Sequence, residues 1–465
     1  MKRLTTLAIL LATTSLASAA SNESFIIQAG KKNSAIVGQQ NGNNAQGTGQ
    51  FGNGNSAVTA QKSTDGDTNK SATLQIGNKN ASTVGQLGGN NSQGTLQIGN
   101  DNSATTLQNN DTKNKNKSFT GEFGNGSTSM VGQAGGNNNQ TTLQFGAGKD
   151  SDNLAITNQL TGVNGGQNDS KTIQAGAGNT ALISQDSEGV AGKKSGAGGN
   201  NSQISLQFGR DNTAATDQNS IGSGTTKKTD QSGVKNDAAT LQVGFDNIAS
   251  TKQSGANPGD TANQATNASA IAQFGQYNGA GVKQVNGNNQ QGTLQVGSGN
   301  LANTRQKNAE DSNNPNASLT MQFGQDNTAN TKQTNGNNLQ ATIQAGRDND
   351  AKTTQKNVDN GNGVNAALTL EFGTGNSAVT SQKIADPLNN GVNESLIAQV
   401  GKYNTAKVRQ ADTGLQQMIG QNLQSTLQVG NGNSATTVQT ASASVSNTSV
   451  TAQFGSHNTA VVTQH

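Results

Sequence analysis

The stretch Thr95–Gln108, TLQIGNDNSATTLQ, reads as a short strand, a Gly/Asn turn and a second short strand. Its frame is Gln, any residue, Gly, two residues, Asn, one residue, Ala, three residues, Gln. Seventeen copies open at Gln28, Gln50, Gln75, Gln97, Glu122, Gln144, Gln174, Gln207, Gln242, Gln273, Gln295, Gln322, Gln344, Glu371, Gln399, Gln428 and Gln453. Their spacing runs from 22 to 35 residues. Self-similarity at such a period marks a repeat architecture in which copies stack on one another.

Only 29% of the 465 residues are hydrophobic, and 60 are Gly. That excludes an ordinary apolar core, and composition alone would suggest a disordered or prion-like tract. The repeat argues otherwise, because Gly stands two places after the opening residue in all seventeen copies. The absence of Cys excludes a disulfide framework, so backbone pairing and side-chain stacking must hold the chain. Met1–Ala20 reads as a secretory signal: Lys2 and Arg3, an apolar run Leu4–Leu16, then small residues to Ala20. It is too short for a membrane span, which needs about 20 apolar residues. Its removal takes the formal charge from +3 to +1 (3 − 2). Basic residues gather in no patch, so nucleic acid is not an expected partner. Residues 21–465 are then read as one continuous array, with decoration at Lys149–Asp152, Asp186–Asn201 and Asn219–Asn236.

Side-chain parity identifies the interior. Successive strand residues point to opposite faces. On the second strand, Lys252, Lys283, Arg305, Lys332 and Arg409 share the parity opposite to the motif. Unpaired cations are almost never fully buried, so the motif residues Gln, Asn, Ala, Thr and Val must face inward. A covariation supports a shared interior. Copies with Ser four places before the opening Gln mostly carry Val or Ile at the β-branched slot (Ser24/Val37, Ser71/Val84), whereas copies with Gln there carry Thr (Gln46/Thr59, Gln93/Thr106). Ser318/Thr331 is an exception.

The expected fold is all-β, a cross-β, amyloid-like β-solenoid of stacked strand–turn–strand arches. At about 4.8 Å per copy the column would be on the order of 80 Å long. Carboxamides at equivalent positions then form ladders. The assigned triads are Gln28, Asn33, Gln39; Gln50, Asn55, Gln61; Gln75, Asn80, Gln86; Gln97, Asn102, Gln108; Gln207, Asn212, Gln218; Gln273, Asn278, Gln284; Gln295, Asn300, Gln306; Gln322, Asn327, Gln333; Gln344, Asn349, Gln355; Gln399, Asn404, Gln410; Gln428, Asn433, Gln439; and Gln453, Asn458, Gln464. Each bond contributes about 0.5–1.5 kcal/mol and each unmatched buried amide costs about 1–3 kcal/mol, so a ladder helps only if unbroken. Glu122 and Glu371 replace the opening Gln and are candidate gatekeepers that slow or register assembly. The outward parity of the first strand is apolar, as at Leu96 and Ile98 or Leu143 and Phe145, which marks an interaction surface. Open strand edges at the column ends would template another chain.

The repeat resembles the curlin repeat of bacterial curli fibres, whose frame runs Ser, Gln, Gly, Asn, Ala and Gln with small variations in spacing. The core matches fully in thirteen of the seventeen copies. The third, fifth and fourteenth carry substitutions (Ser82; Glu122, Ser127 and Ser129; Glu371), and the sixth carries an insertion. The resemblance implies a secreted subunit that passes through the periplasm and self-assembles into extracellular amyloid fibres for biofilm matrix and surface adhesion. Its implied partners are further copies of itself, a curli-type secretion pore and a nucleator, with a surface or matrix polysaccharide also open. The chain departs from the family in its far longer array, and in starting its first repeat at Ser24 without a Gly-rich leader.

The alternative is a monomeric solenoid adhesin that binds carbohydrate or abiotic surfaces without polymerising. An enzyme is not expected: His457 and His465 stand near the C-terminal end, and no acidic pair recurs. No cofactor or metal is expected either. Asp101, Asp211, Asp246, Asp326 and Asp348 recur singly in the turn before Asn and read as turn formers.

Overall fold

The computed structural model describes residues 22–465 apart from 64–66, 112–113, 147–151, 163–165, 189–198, 222–234, 257–265, 309–313, 359–361, 386–389, 414–419 and 443–444. The expected signal Met1–Ala20, most of the insertion Lys149–Asp152 and the inner parts of the two long middle loops lie outside the described residues.

Each copy forms one arch, hereafter a rung, of two strands. They are Asn22–Lys31 and Ser34–Gln40 in rung one, and Ser446–Ser456 and Thr459–Gln464 in rung seventeen. The first strands of all rungs make a 17-stranded sheet, and the second strands make another facing it. Pairing is parallel and runs rung to rung along the column. Among the described residues no pairing joins rung seventeen back to rung one, so neither sheet closes on itself. The protein is a parallel β-solenoid.

Register keeps each motif position in one column whatever the loop between copies. Gln28 pairs with Gln50 over 22 residues, and Gln207 pairs with Gln242 over 35. A slip of one residue would turn every buried amide to water, which is why long loops do not disturb the pairing. Burial alternates along the strands as the parity requires. Gln, Asn, Thr, Ser and Ala of the motif parity are buried, whereas Lys252, Lys283, Arg305, Lys332 and Arg409 are exposed. Apolar packing within the column is confined to small groups such as Ala249, Ile271, Ala280 and Val282.

The turn explains the constant Gly. At Gly324 φ is +116°, a region that L residues seldom adopt, and a Cβ there would sit 2.0 Å from the carbonyl oxygen of Gly346 on the next rung. The recurring Asp residues are turn formers, with φ of 51–56° at Asp101, Asp211, Asp246, Asp326 and Asp348. Gly324→Ala is expected to destabilise the column by about 1–3 kcal/mol from backbone strain alone, before any clash is counted. Gly47→Ala, whose Cβ meets nothing within 4 Å, is expected to be near neutral. Denaturant unfolding of the two variants side by side checks this.

Candidate functional site

The site is the amide interior itself. Between the two end rungs, each opening Gln uses both hydrogens of its Nε2. In Gln50 one goes to Oε1 of Gln75 (2.8 Å) and the other to the backbone carbonyl of Ser34 on the facing strand (2.9 Å). One side chain therefore bonds two rungs and two sheets. Gln273 repeats this with Gln295 (2.8 Å) and Ile248 (3.0 Å). Closing Gln residues do the same from the other sheet, as when Gln306 donates to Gln333 and to the carbonyl of Gln290, both at 2.7 Å. The backbone carbonyl leaves the carboxamide only one orientation, so the Gln ladders are polar: every Nε2 points toward the C-terminal end.

The Asn ladder in the arch turn runs the other way. Oδ1 of Asn33 accepts the backbone N–H of Asn55 (3.1 Å), and Oδ1 of Asn55 accepts that of Asn80 (3.0 Å). Nδ2 of Asn80 in turn satisfies the carbonyl of Gly99 in the next rung (2.9 Å), the oxygen that excludes a Cβ at Gly77. All twelve assigned triads lie in these columns, and apart from the members in the two end rungs they are buried.

A second buried Asn column was not anticipated. It joins Asn44 to Asn69 (3.1 Å), Asn236 to Asn267 and Asn365 to Asn393 (both 2.9 Å). These residues stand six places before the opening Gln, where Asn occurs in all seventeen copies. That regularity was available in the sequence; attention to the strand–turn–strand unit alone hid it, because this Asn serves the turn between copies. The Ser/Gln alternation also gains a cause. Ser71 Oγ donates to Gln93 Oε1 (3.0 Å), and Ser118 Oγ to Gln140 Oε1 (2.8 Å), so small and large residues pair between successive rungs.

Glu122 and Glu371 interrupt the opening ladder. Gln97 donates to one carboxyl oxygen of Glu122 (2.8 Å), and Gln344 to one of Glu371 (2.7 Å). A carboxylate has no hydrogen to pass on. The other oxygen of each Glu lacks a partner, and so does Oε1 of the Gln paired with it on the next rung, Gln144 or Gln399. Two buried acceptors thus stand on neighbouring rungs at both places, and a proton on the carboxyl supplies the missing donor. Burial pushes Glu122 up to about 8, against the opposing pull of Gln97 and the Ser129 backbone. Burial likewise raises Glu371 well above the usual range, opposed by Gln344 and reinforced by the charge of Asp350. The inward positions of the strands around Glu122, including Thr95, Gln108, Val131 and Thr142, carry no charge.

One expectation is overturned. In three dimensions the basic residues do gather, because register sets Lys252 beside Lys283, Lys283 beside Arg305, and Arg305 beside Lys332. The loop spacing of 22–35 residues had hidden this in the linear sequence. The outward apolar stripe of the first sheet is open to solvent, with Ile98 37%, Phe145 42% and Phe454 66% exposed, and Phe123 stacks on Phe145 at 5.0 Å. Among the described residues no group of three or more His, Cys, Asp or Glu could hold a metal.

No protein-family model matches the chain, and no curated protein matches it.

The carboxyls make stability pH-dependent. Below about 4.5 folded and unfolded chains both hold the Glu122 proton; as pH rises toward about 8 only the unfolded chain releases it. The folded state therefore loses up to about 1.4 kcal/mol per pH unit across that window. Glu122→Gln with Glu371→Gln restores a donor at each rung and is expected to flatten the profile and raise stability at high pH. Denaturation midpoints of both proteins across the window provide the check.

Proposed function

We propose that this protein is a secreted structural subunit that self-assembles head to tail into amyloid-like fibres, serving as extracellular matrix and surface adhesin. The observation that carries this reading is the polarity of the end faces. Rung one leaves the Oε1 acceptors of Gln28 and Gln39 outermost, while rung seventeen carries the Nε2 of Gln453 and Gln464, each already bonded to a facing carbonyl (3.0 and 2.9 Å) as are the Gln residues of the interior rungs. The Asn column is complementary in the reverse sense, since Oδ1 of Asn458 lies where an incoming Asn backbone N–H would bond. A second copy added head to tail continues every ladder and both sheets. Head-to-head contact opposes acceptor to acceptor. An interface of this kind is heterologous and does not close, which gives filaments.

The half-exposed apolar stripe supports lateral association of such filaments. The resemblance to the curlin repeat supports export through the periplasm and a fibre at the cell surface. Glu122 and Glu371 act in this reading as gatekeepers, since at neutral pH each must take up a proton before its ladder closes, which slows ordering of the rungs around it.

Seeded polymerisation of residues 21–465, followed by thioflavin fluorescence and electron microscopy, tests the proposal. The intact sequence is expected to polymerise, and Gln97→Ala with Asn102→Ala to lengthen the lag and slow elongation several-fold, as loss of two buried ladder positions at about 1–3 kcal/mol each implies. A monodisperse column that never polymerises refutes the fibre reading and favours a monomeric adhesin.

A further inference from the structure

The outward face of the second-strand sheet changes character half-way along the column. Each rung offers four outward positions there. Over rungs one to eight these hold one cation, Lys62, and two carboxylates, Asp186 and Asp217, among small, apolar and amide residues such as Leu107 and Met130. Over rungs nine to fifteen the same positions hold ten cations and one carboxylate, Asp350.

The cations lie in lines parallel to the column axis. Lys252, Lys283, Arg305 and Lys332 occupy four successive rungs of one line, which resumes at Arg409. A neighbouring line holds Lys307, Lys356 and Lys383, the last two directly paired. Lys352 and Lys407 lie in a third line, two rungs apart. All ten are exposed, and among the described residues only Lys252 has a carboxylate partner, Asp217 at 2.7 Å. Like charges about 4.8 Å apart on adjacent strands repel. The mature charge of +1 did not require them to be stacked (3 − 2, after Lys2 and Arg3). Stacked, they produce a field along one strip of the surface that attracts polyanions.

We propose that this face binds a linear, carboxylated polysaccharide lying along the column axis. The strip is about 29 Å long, six steps of about 4.8 Å, and calls for an extended chain of repeated charge. Eight of its ten cations are Lys, a compact point charge with no bidentate fork to impose an anion geometry, so single charges repeated along an extended chain satisfy it. Asn303, Asn330, Thr334, Thr354 and Ser381 interleave the cations and supply donors and acceptors for sugar hydroxyls. The strip carries no aromatic residue, so the stacking platform that single-stranded nucleic acid uses is missing. The site lies on the side of the column and needs no end face, so it operates whether the column is free or in a fibre.

Binding of polygalacturonate, neutral dextran and double-stranded DNA to the immobilised full chain tests the inference. Polygalacturonate is expected to bind with an affinity that falls as salt rises, and dextran is not expected to bind. The triple variant Lys283→Gln, Arg305→Gln, Lys332→Gln is expected to weaken polygalacturonate binding roughly tenfold, the sum of three exposed ion pairs. A control variant with the same charge loss on the other sheet, Lys70→Gln, Lys117→Gln, Lys171→Gln, is expected to leave it unchanged. Equal loss in both variants, or none in the first, overturns the site. Tighter binding of DNA than of polygalacturonate at matched salt overturns the assignment of the partner. Because neither variant touches the buried ladders, polymerisation assays on the same proteins separate this outcome from failure of the fibre reading.

Discussion

A carboxamide buried in a narrow column has only one place to send its second hydrogen, the carboxamide one rung on. Nearly everything else about this protein follows from that constraint. The bond repeats only if rungs are parallel, in register and evenly spaced, so the ladder selects the solenoid. It also replaces the apolar core: a chain with 29% hydrophobic residues folds because its interior is made of amides that satisfy one another. The same side chains reach the facing backbone, as Gln50 does at Ser34, so a single residue type holds both the stack and the arch.

Such an interior is intolerant in a specific way. Ordinary cores lose stability through cavities, whereas this one loses it through a missing hydrogen. Glu122 and Glu371 are nearly isosteric with Gln and fit the column, yet each leaves two oxygens without a donor unless it holds a proton. They divide the opening ladder into runs of four, eight and three Gln, since rungs five and fourteen carry the breaks. Solvent pH thereby gains access to a dry interior at two fixed heights.

The outer surfaces are free of this constraint, and they diverge. The first sheet keeps apolar side chains outward over its whole length, while the second gathers its cations on rungs nine to fifteen. A ladder interior that is the same at every level leaves the faces to vary independently. Packing of column against column and recognition of other molecules can then occupy different sides.

Much of this was legible from residue order. Parity placed Gln, Asn, Ala and Thr inside because Lys252 and its counterparts could not be buried, and the fixed Gly marked the turn. The Ser/Gln alternation was visible as a covariation, but its cause, a hydrogen bond from Ser71 to Gln93 on the next rung, needed coordinates. The Asn column between copies was equally regular and escaped notice because it belongs to the turn joining two units.

The sequence by itself determined the arch, its buried face and the register, since period-2 parity and a strict repeat admit one pairing. Only the tertiary structure decided which way each ladder points, where a proton is missing, and which surface charges become neighbours. Those depend on contacts between residues 22 to 35 positions apart, and chain distance carries no record of them once loops of unequal length intervene.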